Sequence, residues 1–125
     1  MMGDDLIEAE FKGISWLENY PIEQYIPDPS KPLSIELTLR IGPKGLRGEE
    51  LFLVDVSNAL FLADEARERG PHVVVSTIVV QEFSVAGVER IVRDFCKKCR
   101  GRTWHEVALL LMRLGRWEYE RMATR

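Results

Sequence analysis

Two cysteines, Cys96 and Cys99, are spaced C-x-x-C, a pattern found in zinc sites and in redox-active thiol pairs. A structural zinc site needs about four ligands, but the sequence offers no second cysteine pair, and its histidines are His72 and His105. A redox pair would open a helix after a strand, whereas this pair lies at the end of an amphipathic helical pattern. The sequence therefore favours two partly buried thiols, and it predicts neither a metal nor a cofactor.

Nucleophilic catalysis needs a nucleophile held beside a base. None of the serines lies in a G-x-S-x-G turn; they are Ser15, Ser30, Ser34, Ser57, Ser76 and Ser84. His72 precedes a strand-like run and His105 lies at a predicted helix start, so we expect surface or structural roles for both. The paired acids at 49–50 and 64–65 are the residue type that glycosidases use, but they lie where exposed charge is ordinary. We predict that the chain is not an enzyme.

The segment 42–48 contains three glycines and a lysine, the composition of a phosphate-binding loop. A phosphate loop leads into a helix, whereas the residues after Gly48 form a strand pattern. Glycine and proline at these positions are also typical of a tight turn. We therefore predict a hairpin turn.

A basic edge runs along the helical pattern around residues 90–102. It consists of Arg90, Arg93, Lys97, Lys98, Arg100 and Arg102. One interpretation is a regulator that binds nucleic acid through this helix. The other is a solvated helix face whose cations lie near the negative C-terminal end of the helix. The net charge of −3 for the whole chain argues against nucleic acid as a partner.

The charge is unevenly distributed along the chain. Residues 1–70 carry 7 Lys and Arg against 14 Asp and Glu, a net charge of −7, whereas residues 71–125 carry 10 against 6, a net charge of +4. An acidic half can be a solvated surface, and it can also attract a basic partner and speed its capture.

Alternating apolar residues predict a strand over residues 6–16 and a clearer one over 33–41. The glycine-rich turn then leads into a strand over 49–56, so these two should pair as an antiparallel hairpin. A β-branched run over 73–83 predicts a further strand, which we expect at the centre of the sheet. The prolines of segment 18–32 exclude long regular structure there.

Three segments carry helix signals. Ser57 or Asn58 can cap a short helix that runs to about Arg69 and stops at Gly70. From Ser84 the apolar residues recur at helical spacing up to Gly101. Thr103 and Glu106 have the spacing of a capping box, which predicts a last helix that Gly115 closes.

Strands come first and helices last, which indicates a single α+β domain over residues 1–125. We expect a mainly antiparallel sheet of about four strands with two C-terminal helices packed on one face. No apolar run reaches the roughly 18 residues that a membrane span needs, and the N-terminus is acidic where a signal peptide would be basic. We therefore expect a cytoplasmic protein without membrane contact.

The proline-rich segment combines aromatic and acidic residues. Tyr20 and Tyr25 lie among Glu18, Glu23 and Asp28. Aromatic side chains can anchor a protein interface, while acids steer a basic partner to it. We predict that these five residues bind a partner protein. The alternative is that the aromatic residues, together with Trp16, cover the edge of the core.

Three motifs occur in a distinctive order: IGPKGLRGEELF at 41–52, TWHEVA at 103–108 and LGRWEY at 114–119. Their order and spacing resemble the immunity protein 8 family of bacterial polymorphic toxin systems, which include contact-dependent growth inhibition. The resemblance covers most of the chain. The shared positions are mostly glycines and aromatic residues, so we expect structural roles for Trp104, Glu106 and Trp117.

The resemblance implies a cytoplasmic antidote that is encoded beside its toxin and protects the cell from toxin delivered by its siblings. Its partner would be the C-terminal domain of that toxin, which is usually a nuclease in such systems. The sequence leaves open which toxin this is, which face binds it and what the oligomeric state is.

Overall fold

The computed structural model of the protein describes residues 5–118. Its elements, in chain order, are β1 (Ile7–Ser15), β2 (Ser34–Pro43), β3 (Glu50–Asn58), α1 (Ala59–Arg69), β4 (Thr77–Val80), α2 (Val85–Lys97), β5 (Arg100–Gly101), α3 (Trp104–Leu111) and β6 (Arg116–Trp117). A single 3-10 turn, Ile22–Gln24, interrupts the loop between β1 and β2. Tyr119, the last residue of the third motif, lies outside the described residues.

The predicted hairpin forms the middle of the sheet. β2 and β3 pair antiparallel from Ser34–Ser57 to Ile41–Glu50, and β1 pairs antiparallel with the other edge of β2, with a bulge between Phe11 and Gly13. The strand order is β4-β3-β2-β1-β5, and β6 pairs with β3 beside β4. β4 runs parallel to β3, because α1 carries the chain back across the sheet before β4 begins.

The apolar side of the hairpin forms the core. The fully buried side chains on this core face are Leu37, Leu39, Ile41, Phe52, Val54 and Val56. Val88 and Val92 of α2 and Val107 and Leu111 of α3 belong to the same cluster. The alternate residues of β2 and β3 project from the opposite, open face of the sheet, where Glu36 and Asp55 pair across the hairpin.

The α+β class is as predicted, but the element count is not. The sheet has six strands rather than about four, because β5 and β6 are two-residue strands, too short to leave a periodic signal. α2 and α3 pack on the core face as expected. α1 is the predicted short helix that ends at Arg69, and its Phe61 and Leu62 line a hollow with Asp55 and Ser57 on the open face.

The expected central strand over 73–83 was wrong in extent and position. β4 covers four residues and ends the strand order. Ser76 has φ of 51°, a left-handed conformation that separates Val73–Val75 from the strand. A run of β-branched residues indicates a preference for extended backbone, and it does not show whether a strand lies at the centre or the edge of a sheet.

Side-chain caps begin α1 and α2, at Asn58, one of the two predicted caps, and at Ser84, where the predicted helical spacing begins. Asn58 Oδ1 accepts from the Phe61 backbone N–H at 3.0 Å and Ser84 Oγ accepts from Gly87 N–H at 3.0 Å. Asn58 is buried and also binds the loop before β2, since its Oδ1 accepts from Leu33 N–H at 3.0 Å and its Nδ2 donates to the Lys31 carbonyl at 2.8 Å. α2 ends at Lys97 rather than at Gly101, which pairs with Ile7 of β1.

Candidate functional site

The loop between β1 and β2, residues 16–33, carries all five predicted binding residues and is called the acidic loop below. An aromatic cluster supports it. The ring centroids of Trp16 and Tyr25 are 5.1 Å apart, those of Trp16 and Tyr20 5.3 Å, and those of Tyr25 and Phe83 5.5 Å. Trp16 Nε1 also donates to the Tyr20 carbonyl at 2.9 Å. These contacts hold the loop against the domain although it has almost no regular structure.

Two hollows adjoin at Tyr25. One, of about 410 Å³, is lined by Glu23, Tyr25 and Asp28 together with Phe83 and the turn before α2. The other, of about 430 Å³, is lined by Glu18, Tyr20 and Tyr25 together with Trp16 and the start of β2. The five predicted residues therefore line two hollows that have Tyr25 in common.

The surface of the acidic loop combines fixed negative charge with exposed apolar groups. Asp28 accepts hydrogen bonds from the Ser30 backbone N–H at 2.9 Å and from its hydroxyl at 2.7 Å, and these bonds lower the pKa of the carboxyl group. Burial, reinforced by Tyr20 and Glu18, raises the pKa of the Tyr25 phenol. Leu17 and Ile26 are 93% and 88% exposed.

Sequence reasoning missed Leu17, Ile26 and Phe83 as parts of this surface. The first two are isolated apolar residues in a polar loop, a weak signal. Phe83 lies far along the chain, and its contact with Tyr25 depends on how β4 and α2 fold back. Trp16 is partly buried against the core, as the alternative interpretation of the aromatic residues expects, whereas Tyr20 is exposed.

The two predicted structural tryptophans meet at one carboxylate. Trp117 Nε1 donates to Glu50 Oε1 at 2.6 Å, and Trp104 Nε1 donates to Glu50 Oε2. Trp117 is buried and stacks on Phe52 with ring centroids 6.3 Å apart, while Trp104 is partly buried. Glu50 thus joins β3, α3 and β6. A structural role for both tryptophans stays a prediction.

Glu106 completes the start of α3. Its backbone N–H donates to Thr103 Oγ1 at 3.2 Å, which is one half of a capping box. Its carboxylate accepts from the Arg102 backbone N–H at 2.9 Å instead of returning the bond to Thr103. A Cβ at Gly101 would lie 2.8 Å from the Glu106 Cβ, so glycine is required for this close approach.

Cys96 and Cys99 are free, buried thiols. Burial, together with Cys99 and Glu8, raises the pKa of Cys96 to about 12, and burial raises the pKa of Cys99 as well. Cys99 Sγ donates to the Phe95 carbonyl at 3.3 Å. Such thiols are poor nucleophiles. Within residues 5–118, no group of three or more His, Cys, Asp or Glu side chains is arranged to hold a metal.

The other candidates for chemistry are engaged in local contacts. Glu49 and Glu50 have different partners: Glu49 lies 3.8 Å from Arg40 Nη1, and Glu50 binds the tryptophans. Asp64 and Glu65 pair with arginines on their own helix. His72 Nδ1 lies 2.8 Å from the Gly70 carbonyl. These groups form no nucleophile–base pair with one another.

The glycine-rich segment is the turn between β2 and β3, as predicted, and it is bound to β1. The Lys44 backbone N–H donates to the Glu8 carbonyl at 2.8 Å, and the Gly45 N–H donates to the Glu10 carboxylate at 3.2 Å. A Cβ at Gly42 would lie 2.0 Å from the Gly48 carbonyl oxygen. The backbone N–H groups of Lys44 and Gly45 therefore already bind acceptors on β1.

The basic edge around residues 90–102 is partly neutralised by neighbouring acids. Arg93 lies 3.7 Å from Glu89 and its guanidinium covers the Phe11 ring at 5.1 Å. Lys97 lies 4.0 Å from Asp94, and Arg100 lies 3.2 Å from Glu8. The Arg93 and Lys97 pairs lie on the solvated face of α2, whereas the Arg100 pair joins β5 to β1. Among residues 5–118, no helix is long and apolar enough to cross a membrane.

The fold and this surface define a small α+β protein without a recognisable catalytic centre in the described part of the chain. The family model described as immunity protein 8 matches residues 9–122. The chain therefore belongs to the immunity protein 8 family, which confirms the resemblance read from the three motifs. Among curated proteins and among solved structures, the comparisons find no match.

Proposed function

We propose that the protein neutralises a bacterial toxin by binding its C-terminal toxic domain, and that it does so in the cytoplasm without catalysing a reaction. Membership of the immunity protein 8 family implies a toxin as the partner. A nuclease is the toxin that fits best, because an enzyme that acts on nucleic acid needs a cationic surface for the phosphate backbone. The acidic half of the chain, with its net charge of −7, is complementary to such a surface.

The observation that carries this proposal is the surface of the acidic loop. Glu18, Glu23 and Asp28 line the same two hollows as the tyrosines, and Leu17 and Ile26 project almost fully into solvent. Interfaces commonly combine aromatic anchors with a polar rim, and a few anchors supply most of the binding energy. We infer that Tyr20 and Tyr25 anchor the toxin, while the acids raise the association rate.

Co-expression with the toxin domain encoded beside this chain tests the proposal. We expect the chain to restore growth and to purify with the toxin domain as an equimolar complex, in which the toxin is inactive. An interface variant with Tyr20→Ala and Ile26→Asp should weaken rescue. Because both side chains are exposed, the variant should keep the fold. Failure of the unaltered chain to rescue growth, with both proteins expressed, would disprove the proposal.

A further inference from the structure

The outer edge of β4 pairs with no other strand among residues 5–118. Within the described part of the chain β4 ends the strand order, and it pairs through one edge with β3, from Asp55–Thr77 to Asn58–Val80. Asp55 N–H donates to the Ser76 carbonyl at 2.9 Å. In a parallel ladder alternate residues direct their backbone groups to the partner strand. Ser76, Ile78 and Val80 therefore face β3, and Thr77 and Val79 present their N–H and C=O outward.

The side chains at this edge lack the usual protection against pairing. Edge strands of monomeric proteins commonly carry lysine, proline or an inward charge. From His72 to Gln81 the chain has no Lys, Arg, Asp or Glu. Instead Val79 of β4 is 58% exposed, and Val73 and Val75, which precede the strand, are 84% and 65% exposed. Backbone donors and exposed valines together form a surface that a further strand would bury.

We propose that this edge binds the same edge of a second copy of the chain, so that two sheets join across a two-fold axis through antiparallel β4 strands. In a two-fold interface each surface meets itself, so like charges at the edge would repel. An edge free of charge avoids this repulsion. A basic toxin would find no complementary charge at this edge, whereas it would find acidic residues at the acidic loop. The edge therefore suits a second copy of the chain better than it suits the toxin.

Two cations in the hollow beside this edge are paired with acids. Arg69 lies 3.2 Å from Glu65 on α1, and Arg116 lies 3.7 Å from Asp55 on the open face. All four residues line the hollow beside Val73–Val75. Because each cation has an anion beside it, two copies of this surface can approach each other without a strong net repulsion.

Sedimentation equilibrium of the purified full chain tests the proposal. We expect a mass of twice the 14.4 kDa of one chain, with dissociation on dilution. Val79→Lys should weaken self-association at least tenfold. Val79→Pro should do the same, since it removes an outward N–H and no bond to β3. The matched control, Leu109→Lys, alters an apolar residue of α3 that is 50% exposed, and it should leave the dimer intact.

Circular dichroism melting of each variant separates loss of pairing from loss of folding, and Val75→Lys replaces any edge variant that does not fold. A chain that stays monomeric up to about a hundredfold the concentration used for toxin binding would overturn the proposal. A dimer that all edge variants retain would do so as well. So would a monomer whose toxin binding is lost in Val79→Lys, because a toxin strand would then occupy the edge.

Discussion

Trp117 donates its indole N–H to Glu50 at 2.6 Å and so joins β6, at the end of the described chain, to the first residue of β3. Trp104 binds the other oxygen of the same carboxylate from the first residue of α3. Three elements that are distant in sequence therefore depend on one side chain. A partly buried carboxylate with two N–H donors is a strong hydrogen-bonding centre, since bonds to charged groups exceed neutral ones.

Replacing Glu50 by Ala should destabilise the protein by about 2–4 kcal/mol, because it leaves two indole N–H groups without their acceptor and each such loss costs roughly 1–3 kcal/mol. Glu49→Ala is the control, since it removes an exposed ion pair with Arg40 that contributes less than about 1 kcal/mol. Urea unfolding measures both. Equal losses in the two variants would show that the tryptophan bridge does not stabilise the fold.

Replacing Trp117 by Ala should cost about 3–5 kcal/mol, the usual loss for a large aromatic residue in a core, against a total stability of about 5–15 kcal/mol. Trp104→Ala should cost less, because Trp104 is only partly buried. Expression yield and thermal melting report the effect. A Trp104 or Trp117 variant that stays fully folded and loses toxin binding would place that side chain in the interface instead.

Asn58→Ala should destabilise the protein by about 2 kcal/mol or more. The change removes the cap of α1, worth about 1 kcal/mol, and it also leaves the buried Leu33 N–H and the Lys31 carbonyl without their partner. Ser84→Ala, which removes the single capping bond of α2, should cost only about 1 kcal/mol. Denaturant unfolding of both variants measures these losses in the free energy of unfolding. A larger loss for Ser84→Ala than for Asn58→Ala would contradict the role given to Asn58.

Replacing Glu18, Glu23 and Asp28 together by Lys should slow toxin association strongly at low salt and less at high salt, because charge steers the encounter and salt screens it with a Debye length of about 8 Å at physiological ionic strength. Stopped-flow binding at several salt concentrations measures this. The matched control reverses Arg93, Lys97 and Arg100 to Glu. If the control lost toxin binding while the loop variant bound normally, the interface would lie on the basic edge around α2 and not on the acidic loop.

Cys96 should resist alkylation by iodoacetamide at pH 8 in the folded protein and react rapidly after denaturation, because burial raises its pKa from 9.0 to about 12. Between pH 9.0 and about 12 the folded chain keeps the proton of the Cys96 thiol, whereas the unfolded chain releases it. This contribution to stability is therefore complete below pH 9 and is lost as the pH rises from 9 towards 12. A chelator should leave the melting temperature unchanged, and a large drop would reveal a missed metal site.

Local patterns predicted several elements well. The alternation of Leu37, Leu39 and Ile41 identified β2 and its buried side, and the glycine-rich turn identified its pairing with β3. The cap candidates at Asn58 and Thr103 and the change to helical spacing at Ser84 marked the helix starts. These signals depend on residues within a few positions of one another, so sequence alone contains them. The three motifs likewise identified the family before any fold was known.

The tertiary structure alone decided which distant residues meet. It brought Phe83 onto Tyr25, joined Trp104 and Trp117 at Glu50, and left β4 at the edge of the sheet. It also gave Glu49 and Glu50 different partners, Arg40 for Glu49 and the two tryptophans for Glu50. Such contacts depend on how the chain crosses the sheet and on which strand ends it. The spacing of apolar residues along the chain indicates whether a segment is a helix or a strand. Packing between elements determines which segments lie beside it.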